Sequence, residues 1–80
     1  MIFELKIPNT GMGITEGEIQ TWHKAEGETI ATGDIVVDIE TAKAVEELES
    51  PVDGVLQKIL LPAEETAEVG AIIALIEVAD

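Results

Sequence analysis

The sequence predicts an all-β fold, a flattened barrel or sandwich of two similar antiparallel sheets related by an approximate twofold. Three observations predict it. Shifting the chain by 37 positions lays "GEIQTWHKAEGETIATGDIVVDIE", from Gly17, over "GVLQKILLPAEETAEVGAIIALIE", from Gly54, in unbroken register. Residues 35–40 alternate with the period of two that marks a half-buried strand, and no stretch sustains a helical period. Hydrophobic residues make up 46% of the chain, yet Phe3 and Trp22 are its only aromatics, so the core is aliphatic.

Eighty residues leave no room for a second core, so residues 1–80 read as a single domain holding two quasi-repeats, about 17–40 and 54–77. Identical pairs include Gly17/Gly54, Gln20/Gln57, Glu28/Glu65, Thr29/Thr66, Gly33/Gly70, Ile35/Ile72, Ile39/Ile76 and Glu40/Glu77. Ile19/Leu56, Trp22/Ile59 and Val36/Ile73 keep apolar character. Gly33-Asp34 and Gly70 precede strands as turn formers, and Pro8, Pro51 and Pro62 punctuate the rest. Within residues 35–40, Ile35, Val37 and Ile39 form one face and Val36, Asp38 and Glu40 the other. Residues 44–49 read as the next strand, which places Thr41-Ala42-Lys43 at the turn between them. The repeat carries Lys43 onto Asp80, at the terminus, where no hairpin can form. The hairpin tip is therefore a property of the first half alone.

Seventeen acidic residues against four lysines give a formal charge of −13, which repels phosphate backbones and anionic lipid headgroups. Nucleic acid and membrane surfaces are poor partners for such a chain. The acid serves as a solubilising surface or complements a basic patch on a partner enzyme. Without cysteine there is neither a disulfide scaffold nor a thiolate metal site. "MIFELKIP" lacks the basic and apolar segments of a secretion signal, and no run approaches the roughly 18 apolar residues of a membrane span. A soluble protein is expected, and the end at "IEVAD" suits a domain cut from a longer chain.

With these elements placed, "PNTGMGITEGEIQTW" and "GDIVVDIETAKAVEELESPVDGVLQKIL" resemble the lipoyl domain of 2-oxo acid dehydrogenase complexes over nearly the whole chain. In that family a Glu-Thr-Asp-Lys-Ala motif sits on a β-hairpin tip, and its lysine carries lipoic acid in amide linkage. Lys43 matches that lysine, Glu40, Thr41 and Ala44 match its flanks, and Ser50-Pro51 matches the Ser-Pro that follows. Ala42 stands where the family commonly has Asp, and Glu46 where an apolar residue is frequent. Both departures bear on which partner enzymes recognise the domain.

The resemblance implies a non-catalytic carrier, part of a dihydrolipoamide acyltransferase. It implies four partners: a lipoyl ligase or lipoyl transferase, a thiamin-dependent dehydrogenase, the acyltransferase core and dihydrolipoamide dehydrogenase. Pyruvate, branched-chain 2-oxo acid, 2-oxoglutarate and acetoin systems all use such domains. It implies a bacterial cytoplasmic or mitochondrial matrix setting. A lysine on a defined turn can enter a ligase pocket, and acylation there removes its charge while adding a long arm. Such a tether raises the effective concentration of its end at each site it visits. Two alternatives stay open. A biotin carrier has a related fold, but there the lysine lies in Ala-Met-Lys-Met, and the methionines here are Met1 and Met12. The other is a structural or interaction module with an unmodified lysine.

Lys6, Lys24 and Lys58 read as surface lysines, His23 as a surface or packing residue without a paired nucleophile, and Trp22 as core. Gly11, Gly13 and Gly17 miss the dinucleotide fingerprint by one residue and are read as loop turns. Thr15 and Glu18 have the spacing of a helix capping box, against which Gly17 and the strand pattern argue. Glu46-Glu47 and Glu64-Glu65 are solvated carboxylates, no alternating Asp residues form a calcium loop, and no metal site is expected.

Overall fold

An apolar strand face is stable only against a second apolar face, and here each of two sheets supplies one to the other. The computed structural model describes residues 1–9 and 11–78. Its strands are β1 (Ile2–Lys6), β2 (Glu16–Trp22), β3 (Thr29–Ile30), β4 (Ile35–Glu40), β5 (Val45–Glu49), β6 (Gly54–Ile59), β7 (Thr66–Glu68) and β8 (Ile72–Glu77). Two antiparallel sheets result, ordered β1-β8-β6-β3 and β5-β4-β2-β7. Among the described residues there is no helix, so the all-β expectation holds. Leu5, Ile30, Leu56, Ile73, Ala74 and Ile76 from one sheet meet Ile19, Val36, Val37 and Ile39 from the other, each at most 3% exposed. Burying an aliphatic side chain of this size contributes about 1.5–3 kcal/mol.

The two sheets share one register plan. In β2/β4, Ile19 faces Ile39 and Trp22 faces Val37; 37 residues on, in β6/β8, Leu56 faces Ile76 and Ile59 faces Ala74. Both ladders shift at the same place and leave out Gln20 and Gln57. Each released glutamine turns its amide to the glutamate of the neighbouring strand, Gln20 to Glu40 at 3.3 Å and Gln57 to Glu77 at 3.4 Å. The outer strands β5 and β1 pair with β4 and β8 in matching registers. The short strands cross over: β3 of the first half pairs with β6, and β7 of the second pairs with β2. Each sheet therefore contains strands from both halves, and neither half completes a sheet alone.

Strict alternation fails at one place. β4 shifts register between Ile35 and Val37, and the β-bulge turns Val36 inward, so Val36 and Val37 are both fully buried while Ile35 is half-exposed. The equivalent shift in β8 buries Ile73 and Ala74 together. Gly17 departs from its loop reading as well, since it lies buried inside β2. A Cβ there would stand 2.6 Å from Ile39 Cγ2, so only glycine lets β2 and β4 approach this closely. Trp22 is half-buried against the core, with its indole N–H donating to Leu61 C=O at 2.9 Å.

The turns follow the same plan. Gly33 N–H donates to Ser50 C=O and Gly70 N–H to Ile7 C=O, with φ of 93° and 92° at the two glycines. At the far ends of β4 and β8, Thr41 N–H donates to Ala44 C=O and Val78 N–H to Met1 C=O, both at 2.8 Å. Met1 and Val78 thus meet where the other sheet has its hairpin. Asp80, the repeat partner of Lys43, lies outside the described residues.

Candidate functional site

β4 and β5 stay paired as far as Glu40 opposite Val45, which leaves Thr41-Ala42-Lys43-Ala44 as the connection. Four residues joining adjacent antiparallel strands must close a tight turn. Thr41 closes this one twice, its N–H donating to Ala44 C=O at 2.8 Å and its hydroxyl to the same oxygen at 3.1 Å. The hydroxyl oxygen also accepts from Lys43 N–H and Ala44 N–H, each at 3.4 Å. Lys43 is exposed on this turn between two alanines whose methyl groups leave the backbone open to approach.

The base of the hairpin is anchored at β5's other end. Ser50, 1% exposed, donates its N–H to Asp34 C=O and its hydroxyl to Val52 C=O at 2.6 Å. Asp53 then accepts from Thr32 N–H at 2.7 Å and from Thr32 Oγ1 at 3.0 Å. Those two bonds hold the Asp53 carboxyl below its ordinary pKa, the backbone bond first. The Ser-Pro turn matched in the sequence is thus a clamp between the β5–β6 and β3–β4 connections.

The structure also brings to Lys43 a segment that the sequence reads as loop turns without placing it beside the lysine. Between Pro8 and Gly17 stand eight residues, whereas the equivalent stretch between Pro51 and Gly54 holds two. From Gly11 onward the longer loop lies against the hairpin, where a Cβ on Gly11 would stand 3.7 Å from Lys43 Nζ. Ile14 N–H donates to Gly11 C=O at 3.2 Å, and Gly13 has φ of 85°. An open cleft of about 270 Å³ separates loop from hairpin, with Thr15, Glu16, Glu40 and Ala42 among its lining residues. The repeat itself holds the missed signal, because the extra residues are an insertion into one half only.

The other candidates stay apart from this tip. Lys24 Nζ lies 3.6 Å from both Glu28 and Asp34, and His23 Nε2 lies 3.0 Å from Asp38 Oδ1. Lys6 and Lys58 are exposed on β1 and β6. Among the described residues Lys43 makes no ion pair, no three His, Cys, Asp or Glu side chains gather as a metal site, and no helix is long and apolar enough to cross a membrane. An unpaired primary amine on a rigid-based hairpin tip can act as an acceptor in amide formation.

The profile of the biotin/lipoyl family, described as "Biotin-requiring enzyme", matches residues 3–76. The chain belongs to the biotin/lipoyl family. Its fold is similar to the solution structure of the lipoyl domain of the 2-oxoglutarate dehydrogenase complex from Azotobacter vinelandii, with TM-score 0.77, 34% identity, and coverage of 95% of this chain and 98% of that one. Among curated proteins, it is 40% identical over 75 residues to the dihydrolipoyllysine-residue acetyltransferase component of the acetoin cleaving system of Pseudomonas putida, covering 94% of this chain and 20% of the relative. It is 38% identical over 80 residues to the corresponding component of the pyruvate dehydrogenase complex of Staphylococcus epidermidis, covering 100% of this chain and 18% of the relative. The chain thus spans about a fifth of the length of these curated relatives. Within its family this is a lipoyl domain, a non-catalytic module of the kind carried by acyltransferase components.

Proposed function

We propose that residues 1–80 form one carrier domain, that Lys43 is its attachment site, and that lipoic acid is the group attached there. The observation that carries this reading is the exposure of Lys43 at the β4–β5 tip, beside Glu40, Thr41 and Ala44, which match the family's attachment motif. When bound, lipoamide supplies a dithiolane that takes up acyl groups and reducing equivalents. The protein's own residues supply the rest. Thr41 and its bonds define the turn, Ala42 and Ala44 keep it accessible, and the Ser50–Asp53 clamp holds the hairpin's base to the body of the domain.

The domain then serves a 2-oxo acid or acetoin dehydrogenase complex as part of an acyltransferase. Its partners are a lipoyl ligase or lipoyl transferase, a thiamin-dependent dehydrogenase, the acyltransferase core and dihydrolipoamide dehydrogenase. The setting is the bacterial cytoplasm or the mitochondrial matrix.

The test is the intact mass of the protein after incubation with a lipoyl ligase and lipoate, and in parallel with a biotin ligase and biotin. One lipoyl group on the wild type and none on Lys43→Gln is the expected result. Lys43→Gln should stay folded, because exposed turn substitutions change stability by less than about 0.5 kcal/mol. Lipoyl mass on Lys43→Gln would reject the site; biotin in place of lipoate would reject the cofactor. Reductive acylation of the lipoylated domain by pyruvate-, 2-oxoglutarate- or acetoin-specific dehydrogenases then separates the parent complexes.

A further inference from the structure

The internal repeat supplies a natural comparison for the residue that starts the tip. Thr41 on the first half corresponds to Val78 on the second, and the two side chains have nearly the same shape. Both backbone N–H groups make the same bond, to Ala44 C=O and to Met1 C=O, each at 2.8 Å. Closing the strand pair at this position therefore requires no hydroxyl. What differs is that the first half must also hold a two-residue tip, Ala42-Lys43. The Thr41 hydroxyl meets that need, accepting from Lys43 N–H and Ala44 N–H at 3.4 Å while donating to Ala44 C=O at 3.1 Å. Its one donor and two acceptor sites are all used.

From this geometry we infer that Thr41 is a positioning residue, whose hydroxyl fixes the Lys43 peptide and so the direction in which the lysine side chain leaves the tip. The inference rests on the reading of Lys43 as the modified lysine. A ligase accepts only the fraction of molecules whose tip has the right arrangement, so the apparent affinity falls in proportion to that fraction. Losing one net hydrogen bond lowers the equilibrium constant for that arrangement about fivefold, and the competent fraction by at most that factor.

Steady-state lipoylation by a lipoyl ligase is measured on the wild type, Thr41→Val and Thr41→Ser, together with amide hydrogen exchange at Lys43 and Ala44 and thermal melting. Thr41→Val copies the Val78 side and is expected to melt near the wild type. It should raise the KM for the domain by up to about fivefold with kcat unchanged, and it should speed exchange at both amides. Thr41→Ser keeps the hydroxyl and should stay within about twofold of the wild type. A wild-type KM for Thr41→Val overturns the inference. So does an equal loss in Thr41→Ser, which would assign the effect to the methyl group. A wild-type domain that accepts no lipoyl group rejects the reading of Lys43 instead; exchange then decides alone, and unchanged rates in Thr41→Val overturn the positioning role.

Discussion

Glu64 holds φ at 73°, in the left-handed region where a Cβ crowds the following carbonyl. Its counterpart in the first half is Gly27, with φ of 89°, and both residues make the same bond, Gly27 N–H to Leu56 C=O and Glu64 N–H to Ile19 C=O, each at 2.7 Å. Glu64→Gly should therefore stabilise the fold by about 0.5–1 kcal/mol, read as a rise of several degrees in the melting temperature. No rise would mean that the Glu64 side chain offsets its own backbone cost. Asp53 makes the opposite kind of contribution. Its carboxyl is held below its ordinary pKa by Thr32, so it stabilises the fold above the unfolded pKa, and that share is lost as pH falls through the folded value. Asp53→Asn should lower the melting temperature at about pH 7, and the difference from the wild type should shrink as pH falls below about 4; a difference that stays constant into that acid range would put the effect in packing rather than charge. The place of Lys43 on the hairpin tip is legible in the sequence because the strand pattern on either side converges on it. The bonds of Thr41 and Asp53 are not, since each depends on where a second turn lands in space.

At the scale of the strand and turn, period-two patterning locates β4 and the repeat locates its mate β8, but neither locates a bulge. Val36 belongs with Asp38 and Glu40 by alternation, yet the skipped residue in the ladder turns it inward, and only the partner strand's register reveals that. The paired turn glycines are a stronger sequence signal. Gly33 and Gly70 occupy matching positions with φ of 93° and 92°, and an added Cβ at either would meet no heavy atom within 4 Å, so the cost of alanine there is conformational alone. Gly33→Ala and Gly70→Ala should each destabilise by about 1 kcal/mol, and by similar amounts. Gly33 precedes β4 at the end remote from Lys43, so both variants should keep wild-type ligase kinetics while folded. Melting curves that show either variant stabilised would remove the conformational account of these turns. A slowed ligase reaction for Gly33→Ala alone would mean that strain at one end of β4 reaches the other.

For the whole molecule the repeat makes both sheets legible, because each pairing in one has its image in the other, while the fit of the Pro8–Gly17 insertion against the Lys43 hairpin depends on packing that no pairing rule encodes. The charge is legible from composition alone and has a consequence for folding. A formal charge of −13 is confined to a body of about 36 × 21 × 18 Å, and unfolding moves those charges apart. At about 0.01 M salt the screening length is about 30 Å, so most carboxylates in the folded domain sense one another; at about 1 M it is about 3 Å and the repulsion is gone. Added salt also weakens the attraction of Lys24 for Glu28 and Asp34, but half-exposed surface pairs at 3.6 Å contribute only about 1 kcal/mol or less. Repulsion dominates that balance, so the melting temperature should rise as sodium chloride is raised from about 0.01 M to about 0.5 M, with most of the gain below about 0.2 M. Chloride is the salt to use, since sulfate would stabilise by exclusion from the surface whatever the charge. A melting temperature that stayed flat or fell over this range would show that the acidic surface is arranged so that its charges cost the fold nothing, with ion pairs rather than net charge governing the response.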